Sequence, residues 1–211
     1  MALQKNTKEI KVEEIKFDNH IDAQLVFKDK SKTQEQRSEA LEFLIKNKSV
    51  AHMLQLVNLM FTDNEVDDHL YIDMVFNSFH NVPKTDEDYS NFTKSLQSDN
   101  VYLRNMAIKY LQESNEEATI FIDRLLRSDD KDIRIFAINI LGDVQYDKSI
   151  DMLRYFMAQE DDVNAMMTAV DYMGEIGSVE DIALLETLKI AHKDDPYVLF
   201  GVDTAIERIR G

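Results

Sequence analysis

The sequence predicts an all-α fold, an α-solenoid of about five to six helical hairpins, and three observations lead to this prediction. The 211 residues include only 5 glycines and 2 prolines, too few for the many turns of a hairpin-rich β fold. Apolar residues recur at i, i+3, i+4 and i+7 in segments of about 10–14 residues, the pattern of a helix with one buried stripe. Similar segments return every 30–34 residues, and two helices in such a period indicate a solenoid.

The composition is that of a folded chain. Hydrophobic residues make up 44% and charged residues 30% of the sequence, so the chain can bury a sizeable core. It contains no cysteine, which excludes disulfides, thiolate metal sites and cysteine nucleophiles and suits a reducing cytosol. No apolar run approaches the roughly 20 residues that span a bilayer, and the N-terminus lacks the apolar core of a signal peptide. We therefore expect a soluble cytoplasmic protein without a membrane segment.

The chain is predicted to have two parts. Residues 1–33 have mixed charge and isolated apolar positions, and are expected to form an N-terminal tail or cap, part-helical over residues 21–28. Residues 34–211 are expected to form the repeat array. Three segments at the start of the array carry a helical apolar pattern: residues 34–47, 50–61 and 70–79.

From residue 89 onward the helices alternate regularly in pairs, and we call the first helix of each pair helix A and the second helix B. No single pair can bury its apolar stripe alone, so each pair is expected to stack on its neighbours. The predicted pairs are residues 89–97 with 101–113, 116–127 with 133–144, 148–159 with 163–176, and 179–192 with 196–209.

In most repeats a small residue lies in the middle of helix B, where it would let the helix approach the next layer closely. Aliphatic residues lie four positions before and after it at matching places. The central residues are Ala40, Met74 (or Val75), Ala107, Ala137, Ala169 and Val202. The flanking residues are Leu103, Ile133 and Val198 before the centre, and Leu111, Leu141, Met173 and Ile206 after it.

Negative charge is concentrated in the array. The formal net charge is -16, of which residues 1–48 contribute +1 and residues 49–211 contribute -17. Phosphate recognition depends on Lys and Arg, so a body this acidic is a poor binder of nucleic acid. The charge favours a basic partner and faster encounter with it, although solubility alone is an alternative explanation.

The loops between helices A and B are acidic, and two interpretations stay open. One is helix capping by the residues that directly precede helix B: Asp99, Asp132, Asp162 and Asp195. Capping needs one carboxylate per loop, whereas most of these loops carry two or three. The surplus predicts an acidic edge on which a basic partner docks. The acidic edge comprises Asp67, Asp68, Asp99, Asp129, Asp130, Glu160, Asp161, Asp162, Asp194 and Asp195.

Two segments carry a family resemblance: D-N-V-Y-L-R-N-M-A-I-K-Y-L at residues 99–111 and D-K-D-I-R-I-F-A-I-N-I-L-G at residues 130–142. Their pattern of Asp, aliphatic residue and Arg, followed three residues later by Ala, resembles HEAT-like repeats, particularly the short type also found in phycobilin lyases. The resemblance covers roughly residues 34–209. It implies a fold that serves as a binding surface for many unrelated partners.

The resemblance also implies bonds between a loop Asp and a helix Arg of neighbouring repeats. Arg104 and Arg134 match the Arg position, with Asp99 and with Asp130 or Asp132 as the carboxylates, and Arg37 matches in part. The last two repeats depart from the pattern, because Met166 and Leu199 occupy the Arg position.

In this family the helices B line the inner face of the array. If the rows beside the central residue face solvent, Ile135, Met167 and Phe200 form an apolar strip, and such strips commonly mark interfaces. Alternatively the strip belongs to the core. The predicted partner-binding residues of the inner face are Tyr102, Asn105, Lys109, Ile135, Asn139, Asn164, Met167, Asp171, Tyr197 and Phe200.

The sequence offers no motif for catalysis. It lacks H-E-x-x-H, the phosphate-binding and dinucleotide-binding glycine motifs, and G-x-S-x-G. Asp67, Asp68 and His69 could bind a metal by composition, but their loop position is explained by capping. DNA-binding HEAT-like proteins use a basic groove, for which helix B here offers Lys109 and little more. We expect no enzyme activity, no metal, no cofactor and no nucleic acid.

The favoured functional hypothesis is a non-catalytic scaffold or adaptor that binds a protein or peptide, expected to be basic. The inner face would supply shape and apolar contact, and the acidic edge would steer association. One alternative is an accessory factor of the phycobilin-lyase type that handles a cofactor or small molecule. Another is a structural array that associates with itself. The sequence leaves the oligomeric state open.

Overall fold

The computed structural model describes residues 16–63, 65, 68–79, 83–114, 118–143 and 148–211. Within these residues the chain forms twelve α-helices and a 3₁₀ turn, and no strand. The helices are α1 (His20–Lys28), α2 (Gln34–Ile45), α3 (Val50–Met60), α4 (His69–Asn77), α5 (Asp86–Leu96), α6 (Val101–Gln112), α7 (Thr119–Leu126), α8 (Lys131–Asp143), α9 (Ser149–Met157), α10 (Val163–Ile176), α11 (Ile182–Ala191) and α12 (Pro196–Arg210).

The chain divides into two compact units, one ending at Lys48 and one spanning Ser49–Gly211. The first unit contains the helical pair α1 and α2, in which the Arg37 side chain donates to the Phe27 carbonyl at 2.8 Å. The division of the chain after residue 33 stays a prediction.

The second unit is an α-solenoid, which confirms the predicted fold class. It contains five helical hairpins, formed by α3–α4, α5–α6, α7–α8, α9–α10 and α11–α12. The second helix of each hairpin packs on the second helix of the next, so α4, α6, α8, α10 and α12 form one continuous layer. Among the described residues, no helix is both long and apolar enough to cross a membrane.

The repeat period places the core correctly. The central residues Ala107, Ala137, Ala169 and Val202 are fully or almost fully buried, and so is Ala40 in the first unit. In α4 the buried central residue is Val75, since Met74 is partly exposed. All seven flanking residues predicted from the spacing are buried as well: Leu103, Leu111, Ile133, Leu141, Met173, Val198 and Ile206.

The predicted helix bounds agree with the structure to within a few residues, and one difference has a physical cause. The predicted helix over residues 179–192 begins later, because Val179–Asp181 form a 3₁₀ turn before α11. In that turn the Asp181 carboxylate accepts from the Ser178 N–H at 2.8 Å and from the Ser178 hydroxyl at 3.2 Å, which satisfies the first N–H group without a full helical turn. Parts of residues 116–127 and 133–144 lie outside the described residues.

Hydrogen bonds join consecutive A–B loops into one edge of the second unit. The buried Asn100 side chain donates to the Asp63 carbonyl at 2.6 Å, and Gln97 donates to the Asp130 carboxylate at 2.6 Å. Arg134, in the first turn of α8, reaches Glu160 in the next A–B loop. Four successive A–B loops therefore lie side by side, as the solenoid prediction requires.

A partly buried ion pair joins α9 to the 3₁₀ turn that precedes α11. Asp181 is almost completely buried, and its two carboxylate oxygens accept from the Arg154 guanidinium at 2.5 and 3.1 Å. Burial by itself would raise the pKa of Asp181, but the bonds from Arg154 and from the Ser178 N–H outweigh burial and lower that pKa.

This pair gives the fold an acid-sensitive contact. An Asp pKa that is lower in the folded chain stabilises the fold above the unfolded value of about 3.9, and this stability is lost as the pH falls through the folded pKa. Asp181→Asn is therefore expected to lower the free energy of unfolding by about 2 kcal/mol near pH 7. It should also make this free energy depend less on pH below about pH 4. Urea unfolding between about pH 7 and about pH 2.5 measures both effects.

The matched control is Asp151→Asn, since Asp151 bonds the same guanidinium at 2.8 Å but is exposed. An exposed pair contributes little, so this variant should unfold like the wild-type chain at every pH. Equal losses for Asp151→Asn and Asp181→Asn would contradict the role of burial.

Candidate partner-binding site

The helix-B residues of the predicted inner face differ in how far they are exposed. On α6, Asn105 and Lys109 are exposed, whereas Tyr102 is partly buried. The Tyr102 hydroxyl donates to Asp73 at 2.7 Å, and its ring stacks on His69 with the ring centres 3.7 Å apart. Tyr102 is thus already engaged by α4, the preceding helix of the layer.

The predicted apolar strip is exposed at one end only. On α12, Phe200 is 75% exposed and Tyr197 is largely exposed, while Ile135 on α8 is partly buried. Met167 on α10 is only 5% exposed and belongs mainly to the core. The two interpretations of the strip are therefore each correct for part of it.

A groove of about 350 Å³ lies between α10 and α12, and we call it the helix-B groove. Met167 lies at its base, and Tyr197 and Phe200 contribute aromatic rings. The Arg208 guanidinium, also in the groove lining, donates to Asp171 at 2.6 Å. The structure therefore brings four predicted inner-face residues together: Met167, Asp171, Tyr197 and Phe200.

The other predicted inner-face residues lie outside this groove. Asn164 is exposed in the first turn of α10, and Asn139 is partly buried on α8. Neither lines the helix-B groove, and neither does any predicted residue of α6. The predicted inner-face residues are therefore divided between the helix-B groove and other positions on the helices B.

Helix capping explains part of the acidic edge. Asp162 caps α10 by accepting from two backbone N–H groups, and Asp195 caps α12 by accepting from one. For α6 the cap is Asn100, and for α8 Asp130 accepts from the Asp132 N–H at 2.9 Å. The prediction of Asp99 and Asp132 as caps was wrong by one or two positions in these two helices.

Two of the capping carboxylates, those of Asp162 and Asp130, have lowered pKa values. The Ala165 N–H lowers the pKa of Asp162, and the Gln97 amide lowers the pKa of Asp130. Both groups therefore remain ionised at neutral pH and keep the edge negative.

Other acidic-edge residues lie in loops without capping a helix through their side chains. Asp99, Asp129, Asp161 and Asp194 are exposed, and Asp68 precedes α4 without a side-chain capping bond. Asp67 lies outside the described residues.

Glu160 has a different role from the one predicted. Its side chain is only 5% exposed and forms a two-pronged ion pair with Arg134, whose side chain is 16% exposed, with both N–O distances at 2.7 Å. Glu160 also accepts from the Asp162 N–H at 2.8 Å. Glu160 is thus a structural partner inside the edge, and the bond raises the pKa of Arg134.

The Arg–Asp bonds implied by the resemblance are replaced by other contacts. Arg134 donates to the Ser128 carbonyl at 2.8 Å and pairs with Glu160 instead of Asp130 or Asp132. Arg104 donates to the Ser98 carbonyl at 2.6 Å, and its guanidinium lies 5.9 Å from the centre of the Phe136 ring. Both Arg side chains bond loop residues, but the Arg–Asp bonds that the resemblance implies are not formed by Arg104 or Arg134.

A second groove opens at the acidic edge, and we call it the loop-edge groove. It measures about 620 Å³ and lies between the α7–α8 loop and the α9–α10 loop. Leu126, Met152, Tyr155 and Phe156 form its apolar part. Asp129, Asp161 and Asp162 lie among its acidic residues. Chemically, it combines an apolar floor with a negative rim.

Sequence reasoning missed the helix-A residues of this groove. Arg127 and Tyr155 lie near the C-terminal ends of α7 and α9, and the guanidinium lies 5.1 Å from the ring centre. The signal that could have revealed them is Tyr155 itself, an aromatic residue near the end of a helix A and close to the acidic loop. Attention to helices B alone left it aside.

The described residues contain no group of three or more His, Cys, Asp and Glu side chains arranged to hold a metal ion. Residues 118–202, from the start of α7 into α12, match the family model for HEAT repeats. No curated protein matches the sequence.

One similar solved structure is the crystal structure of an engineered protein. It is 17% identical, and the alignment covers 90% of this chain and 96% of the engineered protein, with a TM-score of 0.38. A likeness at this level adds nothing to the fold assignment, which rests on the packing of the helices and on the repeats.

Proposed function

We propose that the chain, whose residues 118–202 match the family model for HEAT repeats, acts as a non-catalytic scaffold for a basic partner protein or peptide. HEAT repeats generally mediate protein–protein interaction, because stacked hairpins present extended surfaces. We further propose that the partner contacts the acidic edge and the inner face of the helices B.

The observation that carries the proposal is the continuity of the acidic edge. Hydrogen bonds hold successive A–B loops side by side, and three of these loops present Asp99, Asp129 and Asp161 to solvent. Among the described residues, none of these three carboxylates has a side-chain partner. A line of unpaired negative charge steers a basic surface and fixes its register along the array.

The helix-B groove supports the second part of the proposal. Phe200 and Tyr197 are exposed aromatic side chains beside an apolar base, and aromatic residues are common anchors at protein interfaces. The acidic edge would accelerate association and orient the partner, and the helix-B groove would provide apolar contact.

The test is affinity capture from a native cytosolic extract with the purified chain, followed by salt elution and mass spectrometry. We expect a basic protein that is retained at about 50 mM NaCl and released at about 300 mM, because exposed charges are screened within about 10 Å at 0.1 M salt. The variant with Asp99, Asp129 and Asp161 all replaced by Asn should lose that protein.

The matched control changes the same number of charges away from the A–B loops. It replaces the exposed Glu175, Glu180 and Glu207 by Gln, and it should retain the partner. Retention by the Asn variant, or a partner that stays bound at high salt, would overturn the electrostatic part of the proposal.

A further inference from the structure

We infer that the loop-edge groove is the receptor for one basic side chain of the partner, an arginine or lysine next to an apolar residue in an extended peptide segment. This inference rests on the proposed function and assigns a specific place and chemistry to it. Three features of the groove carry it: the apolar floor, the cations already present, and the rim carboxylates.

The floor of the groove suits an aliphatic stem or an apolar neighbour. Leu126 and Phe156 are almost completely buried, so they form a firm base, and Met152 is partly buried beside them. Tyr155 is 55% exposed and presents a large ring to the open groove. Arginine and lysine side chains pack their methylene groups on such surfaces while their charged ends stay among polar groups.

The two arginine side chains that line the groove are already paired with other carboxylates, so the carboxylates of the rim keep their negative charge. Arg127 is paired with Asp123, with an N–O distance of 3.0 Å, and lies over the Tyr155 ring. Arg134 is held by both oxygens of Glu160. Neither guanidinium neutralises Asp129 or Asp161.

The rim carboxylates are set in place by the same ion pair. Arg134 donates to the Ser128 and Asp129 carbonyls in one loop and to Glu160 in the other. It thereby fixes the two loops that carry Asp129 and Asp161. Two exposed carboxylates held on opposite sides of an apolar floor are complementary to a positively charged side chain.

The corresponding groove one repeat earlier lacks this complementarity. It is smaller, at about 270 Å³, and contains Arg104, whose guanidinium has no carboxylate partner among the described residues. There Asp130 is already engaged by Gln97 and by the Asp132 N–H. A basic side chain that entered this smaller groove would be repelled by the unpaired Arg104. The loop-edge groove is therefore the favoured receptor.

The test uses the full chain and a fluorescein-labelled peptide, acetyl-Leu-Arg-Leu-Arg-Leu-amide, with fluorescence polarisation as the readout. The control peptide carries citrulline in place of arginine, which keeps the shape and removes the charge. We expect Asp129→Asn with Asp161→Asn to weaken binding of the arginine peptide about tenfold. Tyr155→Ala should weaken it a few-fold, as loss of a cation–π and apolar contact predicts.

The control variant carries Asp99→Asn with Asp194→Asn, which removes the same charge from A–B loops outside the groove. It should bind the arginine peptide within about twofold of the wild-type chain. Equal weakening by both double variants would overturn the groove as receptor while leaving the acidic edge as a whole in place.

Equal affinity for the arginine and citrulline peptides, or no binding of either, would also overturn the inference. Undiminished binding by Tyr155→Ala would refute the part assigned to the ring. The scaffold proposal is tested separately by the capture experiment, so the two can fail independently.

Discussion

Glu160→Ala is expected to lower the free energy of unfolding by about 3 kcal/mol, because it leaves the mostly buried Arg134 guanidinium without its partner. The substitution also removes the acceptor for the Asp162 N–H at the start of α10. Both losses fall at one point of the edge, between two consecutive repeats. Urea unfolding followed by far-UV circular dichroism measures the effect, since the chain contains no tryptophan.

Two further variants separate the ion pair from a general effect of charge. Asp161→Ala removes an exposed carboxylate from the adjacent position and should change the free energy of unfolding by less than about 0.5 kcal/mol. Arg134→Met combined with Glu160→Leu removes both charges and should cost less than the sum of the two single substitutions by at least about 1 kcal/mol.

The double variant is still expected to be less stable than the wild-type chain, because the Ser128 and Asp129 carbonyls lose the Arg134 donor. If Glu160→Ala costs no more than Asp161→Ala, the pair is not a structural contact between the repeats. Additive losses in the double variant would lead to the same conclusion.

The sequence predicted the helices and their buried stripes well because both follow from local spacing. Apolar residues four apart in helix B, such as Leu103, Ala107 and Leu111, face one side whatever the neighbouring repeat contains. The repeat period then indicates which helices are equivalent. Periodicity therefore specifies the elements of the solenoid and the side on which each is buried.

The contacts between repeats could not be predicted in the same way, because they depend on the length of individual side chains. Ser128 and Glu160 occupy equivalent loop positions, 32 residues apart, and each accepts from the backbone N–H of the residue two positions later. The longer Glu160 also reaches Arg134 of the preceding helix B, whereas Arg104, one repeat earlier, lies near an aromatic ring instead. Treating every loop acid as exposed therefore misplaced Glu160 on the outer edge.

Only part of the candidate site could be predicted from the sequence. The helix-B rows correctly drew attention to Tyr197 and Phe200, which lie together in the helix-B groove. The loop-edge groove is formed by the ends of α7 and α9 and by two loops. Its shape follows from the distance between repeats, and the spacing of residues along a single helix carries no information about that distance.

Gly174→Leu is expected to lower the free energy of unfolding by about 3 kcal/mol, because α10 packs closely on the backbone of α12 at this residue. A Cβ atom on Gly174 would lie 2.9 Å from the Cα of Ala205 and 3.1 Å from its Cβ. The nearer atom belongs to the backbone, so only a shift of a whole helix can make room. The sequence placed the close approach at Ala169 and Val202, since the spacing of apolar residues does not specify how two helix axes cross.

Gly201→Ala is the matched control, because the added methyl group at Gly201 would meet only the end of a side chain. The new Cβ would contact the Met167 methyl group, and a methionine side chain can turn aside at little cost. Replacing a helical glycine by alanine also favours the helix by about 1 kcal/mol. Gly201→Ala should therefore be neutral or slightly stabilising, whereas Gly174→Ala should lower the free energy of unfolding by about 1 kcal/mol.

The opposite signs of these two Ala substitutions are the decisive measurement, because helix propensity contributes equally to both. Equal stability of the two Ala variants in urea unfolding would mean that α10 and α12 can separate freely. A solenoid whose helices B adjust their spacing so easily would not hold its grooves in a fixed shape. A loss for Gly174→Ala alone would show that the backbone of α12 fixes this spacing in the B layer.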